Sequence, residues 1–182
     1  MGTIVGVRLA DGVALAADKR ATSGSAVRSE SLEKLFAFDA AAAAAVGEPG
    51  AIQTFGRKLE SEVRSRETER GKAIRIDPLS RLASDLADEA GVEAVVAARD
   101  GEGVVRLRAV DAAGGELDEE VAARGTGAEF ALGGLDGMDR EQGVAEAVDA
   151  LESIIGSVAE RDTETGADCE VWTLPDAESG GL

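Results

Sequence analysis

The sequence predicts an α+β fold in which two β-sheets lie face to face with helices on their outer sides. Three observations predict it: strand-like runs come in clusters, pairs of helical segments separate the clusters, and no repeat or linker divides the 182 residues. The length suits one domain, expected over residues 1–176, with 177–182 as a flexible acidic tail.

Thr3 to Arg8 is rich in β-formers, Asp11-Gly12 is a hairpin turn signal, and Val13 to Ala17 supplies the second strand. Ala21 to Val27 is a run of small residues, expected as a loop. Leu35 to Asp39 gives a strand and a turn. Ala40 to Val46 is continuously apolar and has the length of a buried strand between Asp39 and Gly47.

Pro49 to about Arg70 carries Ile52, Phe55, Leu59 and Val63 at three- and four-residue spacing behind a Pro-Gly start, which predicts a helix. Asp77-Pro78 begins a second helix, with Leu79, Leu82, Leu86 and Ala87 on one face and Gly91 at its end. Val92 to Ala97, Gly103 to Leu107 and Arg108 to Asp111 are expected as three short strands, followed by a turn over Ala112-Ala113-Gly114-Gly115. Glu120 to Ala123 leads into Gly125-Thr126-Gly127. Helices are expected over Ala128 to Leu135 and Glu141 to Glu160, a last strand over Cys169 to Leu174, and a frayed end over Pro175 to Leu182.

Thirty-six acidic residues against 19 basic ones give a net charge of −17. Such a surface repels nucleic acid and anionic membranes. It suits either a basic partner or a general acidic surface style, as in organisms that live at high salt. The scatter of the acids along the chain favours the second reading. The chain has no His, which excludes Ser–His and Cys–His nucleophile pairs and zinc sites built on histidine. The single Cys169 allows no internal disulfide and is expected as a small buried strand residue. No metal and no organic cofactor is implied. No apolar run reaches bilayer length, and the start lacks a signal-peptide pattern, so a soluble cytoplasmic protein is expected.

Several runs together resemble one family. Gly2-Thr3-Ile4-Val5-Gly6-Val7, Asp11-Gly12-Val13 and Leu15-Ala16-Ala17-Asp18-Lys19-Arg20-Ala21-Thr22 are similar to the opening of proteasome β subunits and of the short bacterial HslV-type relatives. Glu33-Lys34-Leu35-Phe36, Val46-Gly47, Asp111 to Gly115, Gly125-Thr126-Gly127 and Arg161-Asp162 with Thr165-Gly166 continue the resemblance in order along nearly the whole chain. The resemblance implies a four-layer αββα sandwich of the N-terminal-nucleophile hydrolase type. It also implies association with itself or with other proteasome-like subunits in a ring-shaped protein-degradation chamber. Peptide or unfolded protein would be the substrate of an active member.

In this family the hydroxyl of an N-terminal Thr attacks and its own α-amine serves as general base, with no need of His. The resemblance places Lys34 as the cation beside the nucleophile and Asp18 as its partner. Thr126, Asp162 and Thr165 would orient the amine, Gly47 would supply an oxyanion-hole amide, and Arg20 would support the cluster. Without the resemblance, Asp18 and Lys34 read as an ordinary ion pair, Thr126 as a turn residue, and Asp162 and Thr165 as the end of a helix.

Counting back from Asp11-Gly12 without gaps, the nucleophile's place falls on Gly2, which has no hydroxyl. Thr3 then falls one residue late. The subunit would be non-catalytic, a pseudoenzyme. The alternative is an active threonine-type peptidase, or a peptide-transfer enzyme, in which Met1-Gly2 is removed and Thr3 becomes N-terminal. A one-residue shift turns a strand side chain to the other face, so this alternative requires a bulge or altered turn to bring Thr3 towards Lys34.

Overall fold

A computed structural model describes residues 1–178; residues 179–182, the end of the expected acidic tail, lie outside the described residues. The chain opens with strands β1 (Thr3–Leu9) and β2 (Gly12–Asp18), paired antiparallel from Ile4↔Ala17 to Leu9↔Gly12. A small hairpin, β3 (Ala21–Ser23) and β4 (Ala26–Ser29), leads to β5 (Leu35–Ala37) and β6 (Ala41–Val46). Helices α1 (Pro49–Arg70) and α2 (Ile76–Ala90) follow. Next come β7 (Glu93–Arg99), β8 (Val105–Val110), β9 (Glu116–Glu119) and β10 (Val121–Gly125). Helices α3 (Ala128–Asp136) and α4 (Val144–Ala159) precede the last strand, β11 (Cys169–Pro175).

Two main sheets result, with strand orders β10-β1-β2-β11 and β5-β6-β7-β8-β9. The alternation of side chains along a strand explains the layering. Ala41, Ala43 and Ala45 of β6, with Ala94, Val96 and Ala98 of β7, pack on Ile52, Phe55, Leu59, Leu79 and Ala83 of α1 and α2. Their neighbours Ala42, Ala44, Val46, Val95 and Ala97 face the other way, onto Ile4, Val13 and Leu15 of the first sheet. The outer face of that sheet, Val5, Val7, Ala14 and Ala16, covers Ala131, Leu151, Ile155 and Val158 of α3 and α4. The order of layers is therefore helices, sheet, sheet, helices, which is the αββα sandwich. Strand β6 reads as one apolar run because both of its faces are buried. The sheets approach closely at Gly6, where a Cβ would lie 2.7 Å from Leu107 and 2.9 Å from Leu15 and Val95.

Five expectations need correction. The small-residue run Ala21 to Val27 is the β3–β4 hairpin, not a loop. Gly103 to Leu107 and Arg108 to Asp111 are not two strands; they merge in β8, paired with β7 from Ala94↔Val110 to Arg99↔Val105. The last helix begins at Val144, three residues later than expected, because Asp11 Oδ1 in the first turn accepts the Val144 amide at 2.9 Å and caps it from a distance. Pro175 to Ala177 is tied down and not frayed. The Asp176 carboxylate takes Arg8 Nη1 at 2.7 Å and the Val105 amide at 2.8 Å, and the Ala177 amide donates to Gly103 at 2.9 Å. Cys169 is half-buried, at the start of edge strand β11. Among the described residues, no helix is long and apolar enough to cross a membrane.

Candidate functional site

The start of β1 is the centre of the sequence-predicted site. The Asp18 carboxylate, at the end of β2, is wholly buried and its lone pairs are filled. Oδ1 accepts the Thr3 amide at 2.9 Å and Lys34 Nζ at 2.7 Å; Oδ2 accepts the Arg20 amide at 3.0 Å and the Gly166 amide at 2.8 Å. Lys34 lies just before β5, where its carbonyl accepts the Ala45 amide of β6 at 2.9 Å. Its ammonium also donates to the Met1 carbonyl at 3.1 Å. Burial pushes the Lys34 pKa below the ordinary lysine value, and Asp18 only partly opposes this.

Gly2 sits against this pair. A Cβ built on Gly2 would lie 2.1 Å from Lys34 Nζ and 2.3 Å from Asp18 Oδ1, so a side chain here would point straight at the cation. The φ of Gly2 is +89°, a region that side-chain-bearing residues rarely adopt. Its carbonyl accepts the Thr126 amide at 2.9 Å; the Thr126 hydroxyl lies 3.3 Å away but gives its proton to the nearer Asp162.

Thr3 points elsewhere. It is fully buried, and its hydroxyl lies 2.7 Å from Thr165 Oγ1. Thr165 gives its single proton to Asp162 Oδ2 at 2.5 Å, so Thr3 must donate to Thr165. Thr126 also reaches Asp162 Oδ2, at 2.7 Å, and the Glu164 amide reaches Oδ1 at 3.2 Å. Burial pushes the Asp162 carboxyl up, but the hydroxyl donors Thr165 and Thr126 outweigh it and hold the group below the usual carboxylate range. A carboxylate held low in this way is a weak base. The β1–β2 ladder runs without a break from Ile4 to Leu9, so no bulge turns Thr3 towards Lys34.

Arg20 acts from outside the pair. Its Nη2 holds Glu30 at 2.8 Å and its Nη1 donates to the Thr163 carbonyl at 2.9 Å, which fixes the segment carrying Thr165 and Gly166. Gly47 is buried just beyond β6. Gly2, Thr3, Asp18, Arg20, Lys34, Thr126, Asp162 and Thr165 are thus joined in one bonded cluster, whereas Gly47 packs against Val92 and, among the described residues, bonds none of them. The sequence reading missed Glu30, Glu164 and the role of the Gly166 amide. Glu164 faces the Met1 amine at 3.4 Å and takes the Thr22 hydroxyl at 3.3 Å. Its only sequence signal is its place between Asp162 and Thr165. Asp18 and Asp162 spend their oxygens on amides, hydroxyls and Lys34, which leaves neither free to ligate a metal. Among the described residues no group of three or more ligating side chains converges.

Two sheets stacked between two helix pairs, with a buried lysine set against the start of a central strand, place the chain in the class of N-terminal-nucleophile hydrolase folds. Comparison with known proteins narrows the class. Residues 1–174 match the family model described as "Proteasome subunit". A "Proteasome subunit beta" of Halorubrum lacusprofundi is 32% identical over 179 residues, covering 96% of this chain and 73% of that protein. A "Proteasome subunit beta 1" of Thermococcus gammatolerans is 35% identical over 175 residues, covering 90% of this chain and 84% of its own length. The chain belongs to the proteasome subunit family.

Proposed function

We propose that this chain is a non-catalytic β-type subunit of a ring-shaped protein-degradation chamber, associating with itself or with other proteasome-like subunits. One observation carries the reading: the missing side chain of Gly2 is the one aimed at the Lys34–Asp18 pair, whereas the hydroxyl of Thr3 is aimed at Thr165. A nucleophile must stand beside its activating groups, and the residue with that place has no hydroxyl. Asp18, Lys34, Thr126, Asp162 and Thr165 serve here to hold β1 and the segment before β11 together.

A second reading has one observation in its favour. The Thr3 amide donates to Asp18 at 2.9 Å and the Thr3 hydroxyl leads through Thr165 to Asp162, so loss of Met1-Gly2 would leave a Thr with both of its polar groups inside the cluster. Against it stands the direction of the Thr3 hydroxyl, which bonds Thr165, while the ammonium of Lys34 is taken by Asp18 and the Met1 carbonyl. Intact mass and N-terminal sequencing, followed by incubation with an electrophile that traps N-terminal Thr, test the choice. A terminus at Met1 or Gly2 with no adduct supports the non-catalytic subunit. A terminus at Thr3 with an adduct on that residue overturns it.

A further inference from the structure

The junction of α1 and α2 carries a charge pattern unlike the rest of the chain. Residues 64–75 hold Arg64, Arg66, Arg70, Lys72 and Arg75 against Glu67 and Glu69, a local charge of +3 in a chain of net −17. A cavity of about 220 Å³ opens there. Arg66, Arg70, Lys72 and Arg75 line it, and Ala73, Ile74 and Pro78 give it an apolar floor. Among the described residues, none of these four cations lies within 4.0 Å of a carboxylate, although 36 acids are available in the chain. The acid in the lining, Glu67, has one oxygen occupied by the Ile74 amide at 3.0 Å. The amino end of α2 also meets the cavity at Arg75 and has no side-chain cap; Asp77 in its first turn is held by Arg108 at 2.7 Å.

The ordinary explanation covers part of this. Arg70 and Lys72 flank the carboxyl end of α1, where cations are favoured by the helix dipole. It does not cover Arg66, a turn earlier, or Arg75 at the amino end of α2, where a cation is disfavoured. We propose that this cavity docks a carboxylate-rich peptide segment of a protein partner. An apolar side chain of that segment would sit on Ile74 and Pro78, and its carboxylates would be spread over the rim. Three of the cations, Arg70, Lys72 and Arg75, are solvent-exposed and none is pre-set by a hydrogen bond, which suits several spaced carboxylates more than one compact anion. Elsewhere the −17 surface repels such a segment, so the contact also fixes where it binds.

The test uses the full chain and a fluorescently labelled short peptide of alternating Glu and Leu, titrated by anisotropy at several salt concentrations. Binding is expected, weakening as salt rises. It should weaken by at least about tenfold in Arg70→Glu/Arg75→Glu, in line with loss and reversal of several exposed pairs. It should be unchanged in Arg140→Glu, a control on the other side of the fold. The two variants should melt like the parent. No binding, or equal binding to parent and charge-reversed chain, overturns the proposal. Displacement of the peptide by inorganic phosphate at matched ionic strength also overturns it, in favour of a small-anion site. Binding of the Lys-for-Glu peptide with equal strength would reduce it to non-specific apolar contact and overturn it as well.

Discussion

Replacing Lys34 with Met separates a structural from a catalytic role for the buried pair. Lys34 and Asp18 have no solvent exposure at their side chains and meet at 2.7 Å. Removing one partner of such a pair leaves an uncompensated buried charge, typically at a cost of about 3–5 kcal/mol. Asp18 would keep three backbone donors, from Thr3, Arg20 and Gly166, so the lower end applies, about 3 kcal/mol. For a chain of this size each kcal/mol moves Tm by roughly 2–4 °C, so Lys34→Met should melt roughly 6–12 °C below the parent. The loss should persist at high salt, because buried charges are screened little. Lys34→Met/Asp18→Asn should recover part of it by removing the stranded charge. Differential scanning calorimetry or denaturant titration reads the effect. A change below about 1 kcal/mol would refute the structural reasoning, as would a rise in stability, the signature of a site maintained for chemistry at the expense of the fold.

The pH dependence follows from the same group. Burial holds the Lys34 pKa below its ordinary 10.5, so between its folded value and 10.5 the unfolded chain binds more protons. Stability therefore rises with pH across that window, and the rise should vanish in Lys34→Met. Asp162 is held below its ordinary 3.8, so its contribution is present above that value and is lost as pH falls through the folded pKa; Asp162→Asn should flatten the acid limb of the stability curve. Gly2→Thr, with Met1 removed, puts a hydroxyl against the Lys34–Asp18 pair, and both side chains must give way because a Cβ there lies 2.1 Å from Lys34 Nζ and 2.3 Å from Asp18 Oδ1; the variant should gain a covalent adduct with a threonine-directed electrophile, and an unreactive, folded chain with the correct terminus would count against the assignment of Gly2 to the nucleophile's place. The Cys169 thiol is pushed up to about 11 by burial and by Glu152 and Asp18, so it should alkylate far more slowly at pH 8 in the native chain than after unfolding.

Periodicity and turn chemistry made the central elements legible. The β1–β2 hairpin announced itself in Asp11-Gly12, α1 in the Ile52–Phe55–Leu59–Val63 stripe, and β6 in an alanine run too short for an independent helix. The edges did not read as clearly. Glu116–Glu119 is a strand with three acids in four residues, formed by pairing with β8 from Leu107↔Glu119 to Val110↔Glu116, which no local propensity would suggest. The small-residue segment after β2 hid a hairpin for the same reason. The start of α4 depends on Asp11, 133 residues away, and the end of the described chain on Arg8, so neither boundary had a local signal. The site was legible as a set of residue types in order, and the unbroken β1–β2 register decided on which face Thr3 falls. What the sequence could not contain was the traffic through Glu30, Glu164 and the Gly166 amide, because those contacts join segments that only the packed sheets bring together.

If the chain is non-catalytic, as proposed above, the bonds of the cluster give a structural reason for it to persist. Asp18 ties the Thr3 amide of β1 to the Gly166 amide before β11, and Lys34 joins that carboxylate to the segment leading into β5 of the second sheet. Asp162 collects Thr126 after β10 and Thr165 before β11, and Thr165 holds the Thr3 hydroxyl. The first sheet is thus closed at one end by polar bonds from its central strands to the segments beside both edge strands. A surface of net −17 changes its self-repulsion with every change of salt, whereas the buried Lys34–Asp18 pair is screened little. Thr3, Asp18, Lys34 and Thr165 are buried with their partners, so losing any one of these leaves others unsatisfied at about 1–3 kcal/mol each, whereas Thr126 is exposed and Asp162 half-buried. No neighbour needs a hydroxyl at Gly2, because Lys34 already donates to the Met1 carbonyl and to Asp18. On the non-catalytic reading proposed above, selection on stability is therefore sufficient to keep Asp18, Lys34 and Thr165.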